Sequence, residues 1–205
     1  MLFTSIPEPQ VVLEEMATLT PYLYAALEIG TMKAREYFDA ELKPINRYLA
    51  PEIVRYHAKI YLDSVSDGFF STEPLARNGL WVRNFRDLEI RILKSYDGEL
   101  PVPGSKAKQE FYEQLTLAVF ETTQPLKLVV LWSVGFPYNL QPLRLACPRT
   151  SEPEQMLVEA HWYAPIPYPV PSASFVQDEQ GDDSLDDIIK KPKQSDSGTD
   201  NDENK

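Results

Sequence analysis

The chain reads as an α+β domain in which three N-terminal helices pack on one face of a mostly antiparallel sheet of four or five strands, with one further helix inserted and a disordered acidic C-terminal tail. Three observations predict this. Apolar residues recur at three- and four-residue spacing through the first third of the chain, the period falls to two from Gly79 onward, and proline, glycine and aspartate stand where each segment should stop.

Residues 7–19 can form a short opening helix. Thr20-Pro21 then offers an N-cap hydroxyl followed by proline at the first helical position. In the second helix Leu23, Ala26, Leu27, Ala34, Tyr37, Phe38 and Leu42 share a face, and Pro44 ends it. Pro51 opens a third helix whose Ile53, Val54, His57, Ile60 and Tyr61 form the core stripe, with Glu52, Arg55, Lys59 and Asp63 toward solvent. Asp67-Gly68 stops it. Residues 80–85 and 88–96 alternate or run β-branched around Arg86-Asp87 and read as a hairpin. A loop through Asp97-Gly98 and Pro101-Val102-Pro103-Gly104 follows, after which Ser105 can cap a helix running through Gln114. Residues 128–134 are apolar on both faces and form a buried strand, 135–139 turn the chain toward a strand at 143–147, and 156–163 make the last one.

This assigns residues 1–164 to one domain, helical over 7–66 and sheet over 79–164. From Pro165 proline stands at every second position as far as Pro171, so 165–176 should be an extended, polyproline-like arm. Residues 177–205 carry ten acidic residues and four lysines with few large apolar side chains, and cannot offset chain entropy by burial. They are expected to be disordered. One cluster interrupts the polarity: in a helix Leu185, Ile188 and Ile189 would share an apolar face, with aspartates before them and lysines after, as a segment that folds on a protein partner would.

Composition limits the function classes. Of 205 residues, 31 are acidic and 20 basic, for a net charge of −11, of which the tail holds −6. Nucleic-acid binding therefore has to rest on a local patch. Residues 77–108 provide one, with seven basic side chains against four acidic. Cys147 is the sole cysteine, which excludes an intramolecular disulfide and any zinc site built on two thiolates. The N-terminus lacks a basic region followed by an apolar stretch, and the most apolar run, 128–136, is half the length a membrane helix needs. A cytoplasmic protein that engages no membrane is expected.

Candidate sites are few. His161 and Glu159 lie two apart on a strand, so a Glu-oriented imidazole beside Cys147 could form a thiolate–imidazole pair, although the flanking Leu145-Ala146 reads equally as a packed core cysteine. His57 on its helical stripe reads as a half-buried histidine. Glu89 and Arg91 share a strand face, as the acid and lysine of a metal-dependent nuclease's Glu-x-Lys element do, and Asp67 or Asp87 would have to supply the second ligand. A solvated cross-strand charge pair explains the same residues. Ser105 and Lys106 stand at a helix start where free N–H groups favour an anion, and with Arg83, Arg91 and Lys94 they make the anion-binding candidate of the body. The glycine spacing of a phosphate-binding nucleotide loop is absent. No metal or cofactor is expected.

The stretches Leu75-Ala76-Arg77-Asn78-Gly79-Leu80, Arg91-Ile92-Leu93-Lys94, Gly98-Glu99-Leu100-Pro101-Val102-Pro103-Gly104-Ser105, Gln109-Glu110-Phe111-Tyr112-Glu113-Gln114, Leu128-Val129-Val130-Leu131-Trp132, Leu143-Arg144-Leu145-Ala146-Cys147-Pro148 and His161-Trp162 resemble the pattern of an uncharacterised family of bacterial proteins. The resemblance covers residues 75–167. It implies no activity and no catalytic residues, only a gene carried with bacterial mobile or defence elements, beside a helix-turn-helix regulator. The expectation is a non-enzymatic partner-binding or regulatory protein, one component of a mobile-element or toxin–antitoxin-like pair. The alternative is a nucleic-acid-binding protein or divergent metal-dependent nuclease.

Overall fold

The computed structural model describes residues 6–41, 43–73, 79–104, 106–112, 125–149 and 159–169. The chain divides into a body, Met1–Val170, and a C-terminal unit, Pro171–Lys205. The expectations for the arm beyond residue 169, for the tail at 177–205 with Leu185, Ile188 and Ile189, and for the cap at Ser105 lie outside the described residues.

Three helices lead: α1 (Pro9–Met16), α2 (Thr20–Ala40) and α3 (Leu49–Val65). Then come β1 (Ser71–Thr72), β2 (Leu80–Phe85), β3 (Leu88–Lys94), α4 (Lys106–Tyr112), β4 (Leu126–Trp132), β5 (Val134–Gly135), β6 (Asn139–Leu140), β7 (Arg144–Arg149) and β8 (Glu159–Pro165). The fold is α+β. The main sheet has six strands in the order β1-β2-β3-β4-β7-β8, two of them beyond the smallest count expected, and β5-β6 form a separate two-stranded ribbon. The strand β1 was invisible to periodicity because two residues display no period, and β5-β6 occupy what reads as a turn.

All neighbouring strands of the main sheet are antiparallel except β3 and β4, which run parallel from Leu88 opposite Leu126 to Lys94 opposite Trp132. A parallel pair needs a long crossover, and the segment carrying α4 supplies it. Helix α4 thereby arrives on the sheet face opposite α1–α3, so the sheet is covered on both sides. On the inner face Val82, Ile90, Ile92, Leu128, Val130, Trp132 and Leu145 join Val12, Met16, Leu23, Leu27, Val54 and Leu62 in the main core. On the outer face Leu93, Val129, Leu131 and Ala146 form a smaller cluster with Leu100, Phe111 and Tyr112. This two-sided burial is why β4 is apolar at nearly every position.

The helical layer is unusually close at one crossing. A Cβ built on Gly30 would lie 2.5 Å from the carbonyl oxygen of Val54 and 2.9 Å from its Cγ1. Small residues carry α3 across α2, with Ala50, Val54, Ala58 and Leu62 buried. Two sequence expectations change here. The core stripe of α3 is turned away from Ile60, which is 49% exposed. Thr20 does not cap α2: it is the first helical residue, and its hydroxyl donates back to the Met16 carbonyl at 3.0 Å.

The body also continues past the expected boundary at 164. Pro165 ends β8, Ile166 is buried, and its N–H donates to the Leu143 carbonyl at 2.9 Å. The Tyr24 hydroxyl donates to the Ile166 carbonyl at 2.8 Å and accepts from the Leu143 N–H at 3.1 Å. Tyr168 stacks edge-on against Tyr24 and donates to Glu28 at 2.5 Å. Its own burial raises the Tyr24 phenol, so Tyr24 remains a donor at neutral pH. Among the described residues no helix is long and apolar enough to cross a membrane.

Candidate functional site

Alternation along β2 and β3 sends Trp81, Arg83, Glu89 and Arg91 to the outer sheet face, where the register sets Trp81 opposite Arg91. Arg83 bonds Glu73 at 2.6 Å and Glu89 at 2.9 Å. Its guanidinium also lies 4.4 Å from the Trp81 ring centre. The Arg91 guanidinium lies on the same indole at 3.9 Å and against the Phe111 ring at 4.5 Å. Two arginines thus crowd one indole, and the Trp81 and Phe111 rings meet each other edge-on with centres 5.1 Å apart.

Arg91 is fully buried, and none of its three guanidinium nitrogens has a hydrogen-bond acceptor among the described residues. Desolvation lowers its pKa to about 10, against the field of Tyr112 and Glu89, which favours the charge. It stays cationic at neutral pH. Helix α4 supplies the lid over it: Phe111 and Tyr112 are buried, the Tyr112 hydroxyl donates to the Pro101 carbonyl at 3.0 Å, and Lys127 Nζ donates to the Glu110 carbonyl at 3.1 Å. Burial holds the Tyr112 phenol well above its ordinary value.

The structure splits the anion patch expected from the sequence. Arg83 and Arg91 share the outer face, whereas Lys94, three residues on, points to the other side, its Nζ 5.0 Å from the Tyr96 ring, 5.6 Å from Trp132 and 5.7 Å from Tyr138. Desolvation lowers the Lys94 pKa. The Trp132 Nε1 and Tyr138 hydroxyl beside it are buried without acceptors among the described residues, and burial pushes the Tyr138 phenol up to about 12. The residue Ser105 and the side chain of Lys106 lie outside the described residues.

Glu89 and Arg91 do share a face, as their spacing requires, but Glu89 is engaged by Arg83 and Arg91 is fully buried against two rings. Asp87 stands in the β2–β3 turn and Asp67 beyond α3. Among the described residues no cluster of three or more histidine, cysteine or carboxylate side chains could hold a metal. The Cys147–His161 pair is not assembled for catalysis. Cys147 is fully buried in the main core opposite Trp162, and a bulge in β8 leaves His161 exposed. A thiol with no access to solvent cannot reach a substrate.

A second surface emerges on the helices. Opposite its buried stripe, α3 carries Leu49, Ile53, Tyr56 and Ile60, at spacings of four, three and four residues. Leu49 is 42% exposed, Tyr56 55% and Ile60 49%. A shallow groove of about 310 Å³ runs from this stripe to α2, lined by Lys33, Tyr37, Glu52, Ile53, Tyr56 and His57. The His57 ring meets Tyr56 edge-on at 5.3 Å. Sequence periodicity missed this surface because α3 has apolar residues on two faces. The alanines at 50 and 58, one turn either side of the Val54 that meets Gly30, were the available signal that the small side of the helix packs inward.

An α+β body with a charge-stacked outer face and an apolar helical groove is thus what the fold defines. No protein-family model, no curated protein and no solved structure matches this chain.

Proposed function

We propose that this is a non-enzymatic partner-binding or regulatory protein whose α2–α3 face receives an amphipathic helix of another protein. The observation that carries the reading is the second apolar stripe of α3, in which Leu49, Tyr56 and Ile60 are exposed and half-buried Ile53 lines the groove beside them. A helix needs one apolar face to fold into a domain, and contiguous exposed apolar surface is characteristic of binding sites. The four-three-four spacing is that of helix-in-groove recognition. Its placement in a mobile-element or toxin–antitoxin-like pair rests on the sequence resemblance alone. The nucleic-acid alternative draws less support, because Arg83 is committed to two glutamates and Arg91 is out of reach of a phosphate backbone.

The test is site-directed cross-linking in a native bacterial lysate, with a photoreactive residue at position 56 or 60 and, as control, at position 97. A defined protein should join at 56 and 60 but not at 97, and Tyr56→Lys/Ile60→Lys should abolish it while far-UV circular dichroism stays unchanged. A partner captured equally by the folded double variant would refute the reading. Capture lost instead on removing residues 177–205 would move the interface to the tail.

A further inference from the structure

We propose that Arg91 anchors a binding site for a small oxyanion, a phosphate or carboxylate group, in the layer between the outer sheet face and α4. The inference is independent of the partner-binding reading and rests on unfilled donors. More than nine in ten buried polar groups find a hydrogen-bond partner. Arg91 is fully buried, yet its Nε, Nη1 and Nη2 have no acceptor among the described residues, and the buried Nε of Arg83 against the same indole has none either. The nearby carboxylates hold the charge without bonding it, since Glu73 and Glu89 are both taken by Arg83. Glu73 and Glu89 answer the charge of Arg83 and Arg91, but among the described residues nothing answers the hydrogen bonding of Arg91.

The geometry also fixes how a ligand would approach. Trp81 at 3.9 Å and Phe111 at 4.5 Å both lie against the Arg91 guanidinium, and with their ring centres 5.1 Å apart they wall off adjacent sides of it and leave the rest uncovered by rings. Its three nitrogens keep their N–H groups free among the described residues, and edge-on approach to them is how a guanidinium makes two parallel bonds to a carboxylate or phosphate. An oxyanion brings acceptors and no donors, which is the chemistry this face lacks. Entry requires α4 to lift, because Phe111 closes one side. The hydrogen bonds of Tyr112 to Pro101 and of Lys127 to Glu110, with the burial of Phe111 and Tyr112, are among the contacts that have to yield.

The full chain would be titrated with sodium phosphate and, separately, sodium acetate, at ionic strength held constant with sodium chloride. Melting temperature and amide exchange at 106–112 are the readouts. At about 100 times the dissociation constant the wild type should melt about 5–10 °C higher and exchange at 106–112 should slow. Response to phosphate alone, or to acetate alone, identifies the group. Arg91→Met should melt at or above the wild type in chloride, since a buried cation without acceptors has been replaced by an apolar chain of similar volume, and should lose the response. Arg91→Lys, which keeps the charge but not the fork, should weaken it at least tenfold. No response by either readout in the wild type, or an equal one in Arg91→Met, overturns the proposal. Should Arg91→Met fail to fold, Arg91→Lys and wild-type exchange decide. Short single-stranded DNA or RNA acting at lower phosphate concentration than free phosphate would overturn the assignment to a small ligand.

Discussion

Gly30→Ala sets two effects of opposite sign against each other. Alanine is the better helix former by about 1 kcal/mol, so on an open helix the substitution would stabilise. At Gly30 the added carbon would sit 2.5 Å from the Val54 carbonyl oxygen, 2.9 Å from its Cγ1 and 3.1 Å from its carbonyl carbon. Heavy atoms prefer about 3.5–4.0 Å, so the shortfall is about 1 Å. A change of side-chain rotamer cannot relieve it, because the nearest obstacle is main chain, and α2 and α3 must separate instead. A gap of about 0.5–1 Å forfeits a quarter to a half of each dispersion contact across the crossing, and overpacking of this kind costs about 1–3 kcal/mol. Because the obstruction is backbone, the upper part of that range applies. The net effect should be a loss of about 1–2 kcal/mol, a fall in melting temperature of roughly 2–8 °C for a chain of this size. Urea denaturation followed by far-UV circular dichroism measures it, with the slope unchanged. Val54→Ala should give only partial relief in the double variant, since it removes Cγ1 but not the carbonyl oxygen. If Gly30→Ala is more stable than the wild type, the close crossing is wrong and the glycine is merely a poor helix former.

Three further outcomes follow from the same geometry. Trp132→Ala, removing a ring 1% exposed at the end of β4, should cost about 3–5 kcal/mol by denaturant titration, and a loss below about 1 kcal/mol would take the indole out of the core. Leu62→Ala should cost about 2–5 kcal/mol while Ile60→Ala, two residues away on the solvent-facing stripe, should stay within about 0.5 kcal/mol; equal losses would deny that α3 has a free apolar face. Asp97 accepts hydrogen bonds from the Glu99 N–H at 3.0 Å and the Ser95 hydroxyl at 3.1 Å, which hold its carboxyl below the ordinary value. Its folded pKa being depressed, the stability it contributes is complete above about pH 4 and is lost as pH falls through the lower folded value, so Asp97→Asn should flatten the acid limb of a stability–pH curve.

Much of this architecture is legible in local chemistry. Proline at 21 and the turn residues Asp67-Gly68 bound helices for reasons contained within a few residues, and Arg86-Asp87 between alternating segments specifies the β2–β3 hairpin in the same way. The apolar character of residues 128–132 states in advance that both sides of β4 would be covered. Periodicity also fixes that Glu89 and Arg91 share one face and that Lys94 cannot.

What packs on each face is decided elsewhere in the chain. Whether Arg91 meets solvent or a pair of aromatic rings depends on Trp81 across the hairpin and on Phe111, which arrives only because the β3–β4 crossover carries α4 over the outer face. Cys147 and His161 lie on paired strands, but a one-residue bulge beside Pro148 sets what each side chain meets, and a bulge leaves no mark in a hydrophobic pattern. On α3, two apolar stripes compete for the core, and sequence alone ranks Ile60 with Val54. The tertiary contact at Gly30 resolves it: with no Cβ there, α2 approaches most closely over Val54, turning Ala50, Ala58 and Leu62 inward and leaving Tyr56 and Ile60 to the solvent.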